Sequence, residues 1–302
     1  MLRNFKDIRE AAGRTGKKRL VFAPSGPAVG PAALHEAVRA GLIVPVFVGD
    51  VAATEKTLRE RGFSPRDFEI IGEPDPVRSA ALAIDLVRGN RADIVMQGSL
   101  GHQPFLDLVL DRERGLLRNR VASFVSLFDP PALDRLTMVT DTYLHNSPSI
   151  ADKITITENA VQLARLLGIA SPKIAALSAI EQVNPAIPST MDAAILAKMA
   201  ERKQFGDVTI EGPLDIDCAV NERAATRKGV HSTVTGQADI YLVPNVEAGY
   251  LTAQISVFIA GTPMAGVLMG TTHPVVINYP ITSGENKLAE IALAVLLSGT
   301  SK

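Results

Sequence analysis

Short β-branched apolar runs alternate with longer amphipathic stretches along nearly the whole chain, and this alternation constrains the fold more than any single motif. Segments 19–23, 44–48, 68–71 and 93–96 read as strands, and 32–40, 52–61 and 75–88 read as helices. Strands spaced by helical patterns of this length indicate βαβ units and a mostly parallel sheet. The pattern then changes. Segments 122–128 and 137–141 are strands separated only by a short loop that begins Asp129-Pro130-Pro131, a length suited to antiparallel neighbours. Alternation resumes with helix 154–167, strand 173–178, helix 191–203, strands 207–211 and 238–243, helix 246–260, strands 264–269 and 275–279, and helix 285–297, whose Leu288, Ile291, Ala292, Val295 and Leu296 form one amphipathic stripe.

The change near 115–122 predicts two lobes: residues 1–120 with 272–302, and 121–271. A chain of 302 residues has the length for this. Its 31 Lys+Arg and 32 Asp+Glu balance to a formal charge of −1, which excludes bulk electrostatic attachment to nucleic acid or anionic membrane. One cysteine excludes an intramolecular disulfide. No apolar run reaches the ~18 residues of a membrane span, and the start, with Lys6 and Asp7, has no signal-peptide character. A soluble, cytoplasmic protein is expected.

Ligands of open α/β sheets bind beyond the carboxyl ends of the strands. Loops 24–30, 97–103, 141–148, 178–184, 212–217, 244–249 and 280–286 therefore matter, and they hold most of the unusual polar residues. The run Gly13-Arg14-Thr15-Gly16-Lys17-Lys18 precedes a strand and lacks the hydroxyl residue of a phosphate loop. Loop 24–30 follows a strand and opens a helix, the right place for a phosphate turn, although its prolines remove N–H donors. His35, His102, His145, His231 and His273 are scattered without metal-ligand spacing. Cys218 reads as a small packed hydrophobe, and Ser178 is not in a nucleophile elbow. Ser283 stands at the start of the last helix, where free N–H groups of Gly284, Glu285 and Asn286 can hold an oxyanion; equally, Ser283 is a simple cap. Asn245 occupies the same kind of position before helix 246–260.

With these loops in hand, the chain resembles the phosphate acetyl/butyryltransferase family, closest to its butyryltransferase-like branch. The resemblance is carried by Ala92-Asp93-Ile94-Val95-Met96-Gln97-Gly98, Val139-Thr140-Asp141 and Leu167-Gly168-Ile169 before Ser171-Pro172-Lys173. It continues through Ser178-Ala179-Ile180-Glu181-Gln182-Val183-Asn184-Pro185, Ile187-Pro188-Ser189-Thr190-Met191-Asp192, Glu211-Gly212-Pro213-Leu214-Asp215-Ile216-Asp217 and Gly236-Gln237-Ala238-Asp239-Ile240. It implies a two-lobed α/β/α fold of the isocitrate/isopropylmalate dehydrogenase type, with the active site between the lobes, and a homodimer built through the second lobe. It also implies a reaction, acyl-CoA plus phosphate giving acyl phosphate plus CoA. CoA is then a substrate, and no metal or other cofactor is expected.

Such chemistry needs fixed donors for phosphate and oxyanion and a carboxylate to take the thiol proton. By resemblance, Ser283, Asp141 and Asp217 are the catalytic candidates. Arg118, Arg120, Gly284, Asn286, Asn245, Tyr250, Gln97 and Asn184 are candidates for substrate binding, with Tyr250 and Tyr279 shaping an acyl pocket. Several positions depart from the family. Its Ser-Arg in the last loop is Ser283-Gly284 here, with Glu285 the nearest carboxylate. Its Pro-Asp is Pro244-Asn245, its Ala-Gly-Asn is Ala248-Gly249-Tyr250, its Asn shortly after Thr-Asp is His145, although Asn146 follows, and Gln97 replaces a common Lys. Glycine offers no guanidinium for bidentate phosphate binding. A catalytically degenerate protein that binds CoA or a phospho-ligand is the alternative.

Overall fold

Six consecutive buried residues, 20–25, place the first strand in the middle of a covered sheet. The structure is a computed structural model and describes residues 1–26, 32–282 and 284–299. The chain divides into two compact units, one of Phe5–Asn119 with Ala265–Lys302 and one of Met1–Asn4 with Arg120–Met264.

The first stretch runs α1 (Phe5–Gly13), β1 (Lys18–Ser25), α2 (Ala32–Arg39), β2 (Ile43–Gly49), α3 (Val51–Glu60), β3 (Glu69–Gly72), α4 (Pro76–Arg88), β4 (Ile94–Gln97) and α5 (His102–Val109). Then follow β5 (Ser123–Phe128), β6 (Thr137–Thr140), α6 (Ile150–Leu166), β7 (Lys173–Leu177), α7 (Pro188–Glu201), β8 (Thr209–Leu214), α8 (Ile216–Val220), α9 (Glu222–Arg227), β9 (Ile240–Leu242) and α10 (Val246–Gln254). The chain returns through β10 (Met264–Met269) to β11 (Val275–Val276) and α11 (Gly284–Ser298).

In the unit of residues 5–119 and 265–302 the strand order is β11-β4-β1-β2-β3, all parallel. Helix α3 begins where Asp50 accepts the N–H of Ala53, and α4 where Asp75 accepts that of Arg78, each at 2.8 Å. The other unit has the order β5-β6-β9-β7-β8. Here β5 and β6 are antiparallel, with Leu127 opposite Met138, as the short proline loop predicts, and the remaining pairs are parallel. Ser149 and Asp152 cap α6 reciprocally.

Four differences from the sequence reading have physical causes. Helix α11 is not amphipathic. Besides Ile291, Ala292 and Val295, residues Ala289, Leu293, Ala294 and Leu297 are buried, because α11 packs against both α1 and α2. Strand β11 ends at Val276 rather than Tyr279, since the Asn278 N–H goes to a side chain instead of a ladder. Helix α10 stops at Gln254 and continues as a π-helical turn, Ile255–Ile259. Helices α1, α5, α8 and α9 lie in segments to which the sequence pattern assigns no helix.

Candidate active site

The carboxyl end of β6 carries the most unusual polar group in its unit. Asp141, directly after the strand, is buried, with 3% exposure. Its Oδ1 accepts three backbone N–H bonds, from Tyr143 at 2.9 Å, Leu144 at 3.1 Å and Phe124 at 3.2 Å. The turn 141–144 thus wraps around the carboxylate it carries. The other oxygen, Oδ2, is buried and makes no hydrogen bond among the described residues. The His145 ring stands beside it, with Nε2 3.7 Å away. Burial pushes the Asp141 carboxyl above the usual carboxylate range, against the pull of the backbone N–H groups and His145.

Helix α10 closes on this turn. Asn245 caps it by accepting the Ala248 N–H at 2.9 Å, and the Val246 N–H donates to the His145 carbonyl at 3.1 Å. The approach requires glycine at 249, where a Cβ would stand 2.6 Å from the Asp141 carbonyl oxygen and 3.0 Å from the Thr142 Cα. Burial, and then the neighbouring Tyr250, raise the Tyr143 phenol above its ordinary value. Tyr143, Tyr250, His145 and Asp141 thus share one corner of the unit.

A second cluster joins the ends of β7 and β8. Lys228 Nζ donates to Glu181 Oε1 at 2.7 Å, to Asp217 Oδ1 at 2.9 Å and to Asp215 Oδ2. These contacts raise the Lys228 ammonium above its usual range. The same cation, and then Asp215, hold Glu181 down at about 2. Cys218 sits beneath them in an apolar cluster with Ala175, Leu214, Ala219 and Val234. Burial, then Asp215, pushes its thiol up to about 12, so it packs rather than reacts.

In the other unit, Gln97 is a buried strut. Its Oε1 accepts the Asn278 N–H and its Nε2 donates to the Leu100 carbonyl, both at 2.8 Å. Asn278 Nδ2 returns bonds to the carbonyls of Gln97 and Gly98. At the base of α11, buried Lys287 pairs with buried Glu290 at 2.5 Å and donates to the Ile277 carbonyl. Glu290 also accepts from the Gly266 N–H and the Thr282 hydroxyl. The segment after β11 is therefore tied down by side chains from β4 and α11.

The expected residues are distributed as follows. Asp141, Asn245 and Tyr250 belong to one corner. Asp217 belongs to the Lys228 cluster. The Asn184 side chain accepts the Ala186 N–H within its own loop. Arg120 pairs with Asp152 at 3.1 Å, and the backbone N–H of Arg118 donates to the Gly270 carbonyl. Gly284 is the first residue of α11, and Asn286 follows in its first turn. Ser283 itself, and positions 27–30 of the first strand-to-helix loop, lie outside the described residues. Lys228 had no sequence signal, because its partners lie 47, 13 and 11 residues away. His145 had one, as a departure from the family pattern.

Mostly parallel sheets in both units, with buried polar groups at the carboxyl ends of strands, define an α/β protein. The family model described as phosphate acetyl/butaryl transferase matches residues 75–295, and the chain belongs to that family. It is 36% identical over 299 residues to a phosphate butyryltransferase of Clostridium acetobutylicum, covering 99% of each chain. It superposes on a branched-chain phosphotransacylase from Enterococcus faecalis with a TM-score of 0.79 and 25% identity, over 92% of this chain and 99% of the other. A phosphotransacetylase from Streptococcus pyogenes shares the fold at a TM-score of 0.83 and 18% identity, over 98% and 99%. No helix of the described residues is long and apolar enough to cross a membrane.

Proposed function

We propose that this chain transfers a short acyl group between CoA and inorganic phosphate: acyl-CoA plus phosphate gives acyl phosphate plus CoA. The observation that carries this reading is the match along the full length of a phosphate butyryltransferase, 99% of both chains. In the direction of thioester synthesis, the CoA thiolate attacks the carbonyl carbon of the acyl phosphate. An oxyanionic tetrahedral species forms, the carbon–oxygen bond to phosphate breaks, and phosphate leaves with the electron pair. Nothing is oxidised or reduced, and CoA is a substrate rather than a resident cofactor.

In this reading Asp141 is the carboxylate that organises proton transfer, with Asp217 oriented by Lys228. Ser283 and the first turn of α11, with Gly284 and Asn286, receive the phosphate or the carbonyl oxygen. Arg118 and Arg120 supply the cationic charge that Gly284 cannot. Tyr250 and Tyr279 shape the acyl pocket, while Gln97, Asn184 and Asn245 hold the loops that carry substrate. The two-lobed organisation of the dehydrogenase type belongs to the same proposal, as does a cytoplasmic location.

So does a homodimer. Its support is an apolar row at the end of α10: Leu251, Ile255, Phe258 and Ile259 are 57%, 54%, 69% and 81% exposed. A cluster of large apolar side chains in water marks an association surface.

Purified protein incubated with phosphate and acyl-CoAs from acetyl to valeryl, including branched chains, is expected to release CoA with one of them. Absence of release from every one, alongside measurable CoA binding, refutes the proposal and leaves a binding protein.

A further inference from the structure

Two details of the Asp141 corner, the direction of one hydrogen bond and the difference in exposure between two side chains, assign a proton path. We propose that His145 takes the CoA thiol proton on Nδ1, with Asp141 the positioning residue that orients the ring and balances its charge. This rests on the acyltransferase reading above.

The Ala122 carbonyl oxygen can only accept, so its 2.7 Å contact with His145 Nε2 puts the proton of the neutral ring on Nε2. Nδ1 then holds the lone pair. The His145 side chain is 24% exposed and that of Asp141 only 2%, so a solute reaches the ring before the carboxylate. Asp141 Oδ1 is already committed to three N–H groups, and Oδ2 stands 3.7 Å from Nε2. That is too long for a hydrogen bond but close enough for charge to act through the low-dielectric interior. When a proton reaches Nδ1, the imidazolium therefore meets a carboxylate that backbone donors already hold in place.

The step balances. The S–H bond breaks as the N–H bond forms on Nδ1, and sulfur uses the freed pair to attack the acyl carbon. The bond to phosphate breaks, phosphate takes its electron pair, and the imidazolium later gives its proton to solvent or to phosphate. In the reverse direction, Nδ1–H protonates the departing thiolate. The titratable groups on this turn and on α10, whose first N–H bonds the His145 carbonyl, are Asp141 and Tyr143, and Glu247 and Tyr250.

The test has two arms. Nitrogen NMR of the histidine-labelled protein is expected to show His145 with Nε2 protonated when neutral and Nδ1 titrating. A ring protonated on Nδ1 when neutral overturns the proposal whatever the activity. In the kinetic arm, His145→Asn and His145→Gln are expected to lower kcat by about 100-fold or more with a smaller change in KM. The acid-side limb of the wild-type pH–rate profile should vanish in both, and Asp141→Asn should move that limb to lower pH. Turnover by the wild type with an unchanged profile in His145→Asn refutes the proton-transfer role alone. Absence of turnover by the wild type refutes the acyltransferase reading and this role with it.

Discussion

Asp141 tests the energetic account directly, because two substitutions separate its hydrogen bonds from its charge. In Asp141→Ala the N–H groups of Phe124, Tyr143 and Leu144 lose a common acceptor at 2.9–3.2 Å. Phe124 is fully buried, so its N–H pays the full cost of an unmade bond, about 1–3 kcal/mol. Tyr143 and Leu144 are half-buried, and water recovers part of theirs, leaving about 0.5–1 kcal/mol each. The expected loss is about 2–5 kcal/mol. Asp141→Asn keeps an acceptor for the same three donors and should stay within about 1 kcal/mol of the wild type near neutral pH. The two also differ in pH response. The folded carboxyl titrates above its unfolded value, so the folded state binds the extra proton in that window and wild-type stability rises as pH falls through it. Asp141→Asn should lack that rise. Urea unfolding of the three proteins across the acid range measures both effects. Equal destabilisation by Ala and Asn, or the same pH slope in wild type and Asn, refutes the reasoning.

Three further outcomes are expected. Glu181 is depressed to about 2 by Lys228, so it contributes stability present above its ordinary value of 4.5 and lost as pH falls toward 2. Lys228→Met should shrink that acid-dependent loss, read from melting temperatures across the window. Gln97→Ala leaves the part-buried Asn278 N–H and Leu100 carbonyl without their present partners, a cost of about 1–3 kcal/mol by denaturant titration. Cys218, with its thiol at about 12, should resist iodoacetamide near neutral pH in the folded protein and react readily in denaturant, as followed by mass spectrometry.

Much of the fold was legible because β1, β2, β4 and β6 are buried on both faces and several of the helices carry capping residues. The β5–β6 pair was legible from a loop too short for a crossover. Helix α11 was misjudged because a helical wheel counts only one seam, whereas α1 and α2 cover two sides of this helix. Strand β11 was overextended because apolar residues continue after Val276 while a glutamine side chain takes the next ladder donor. At the site, Asp141 and Asn245 were visible as polar residues at strand ends. The Lys228 cluster was not, since no local pattern announces an ammonium whose partners arrive from two distant segments, one carrying Glu181 and the other Asp215 and Asp217. His145 was visible only as an oddity. Its tautomer depends on a carbonyl 23 residues away.

The split of the chain carries a consequence for how the protein is made. The strand at the edge of the five-stranded sheet and the helix that α1 and α2 enclose come from residues 265–302, which are made after residues 120–264. Strands β5 to β9 all lie within residues 120–264, so they have one another as partners before residues 265–302 are made. Residues 5–119 emerge first yet wait for α11, with the apolar faces of α1 and α2 uncovered meanwhile. A nascent chain halted before residue 284 should therefore hold one protease-resistant unit and one that a chaperone still has to shield.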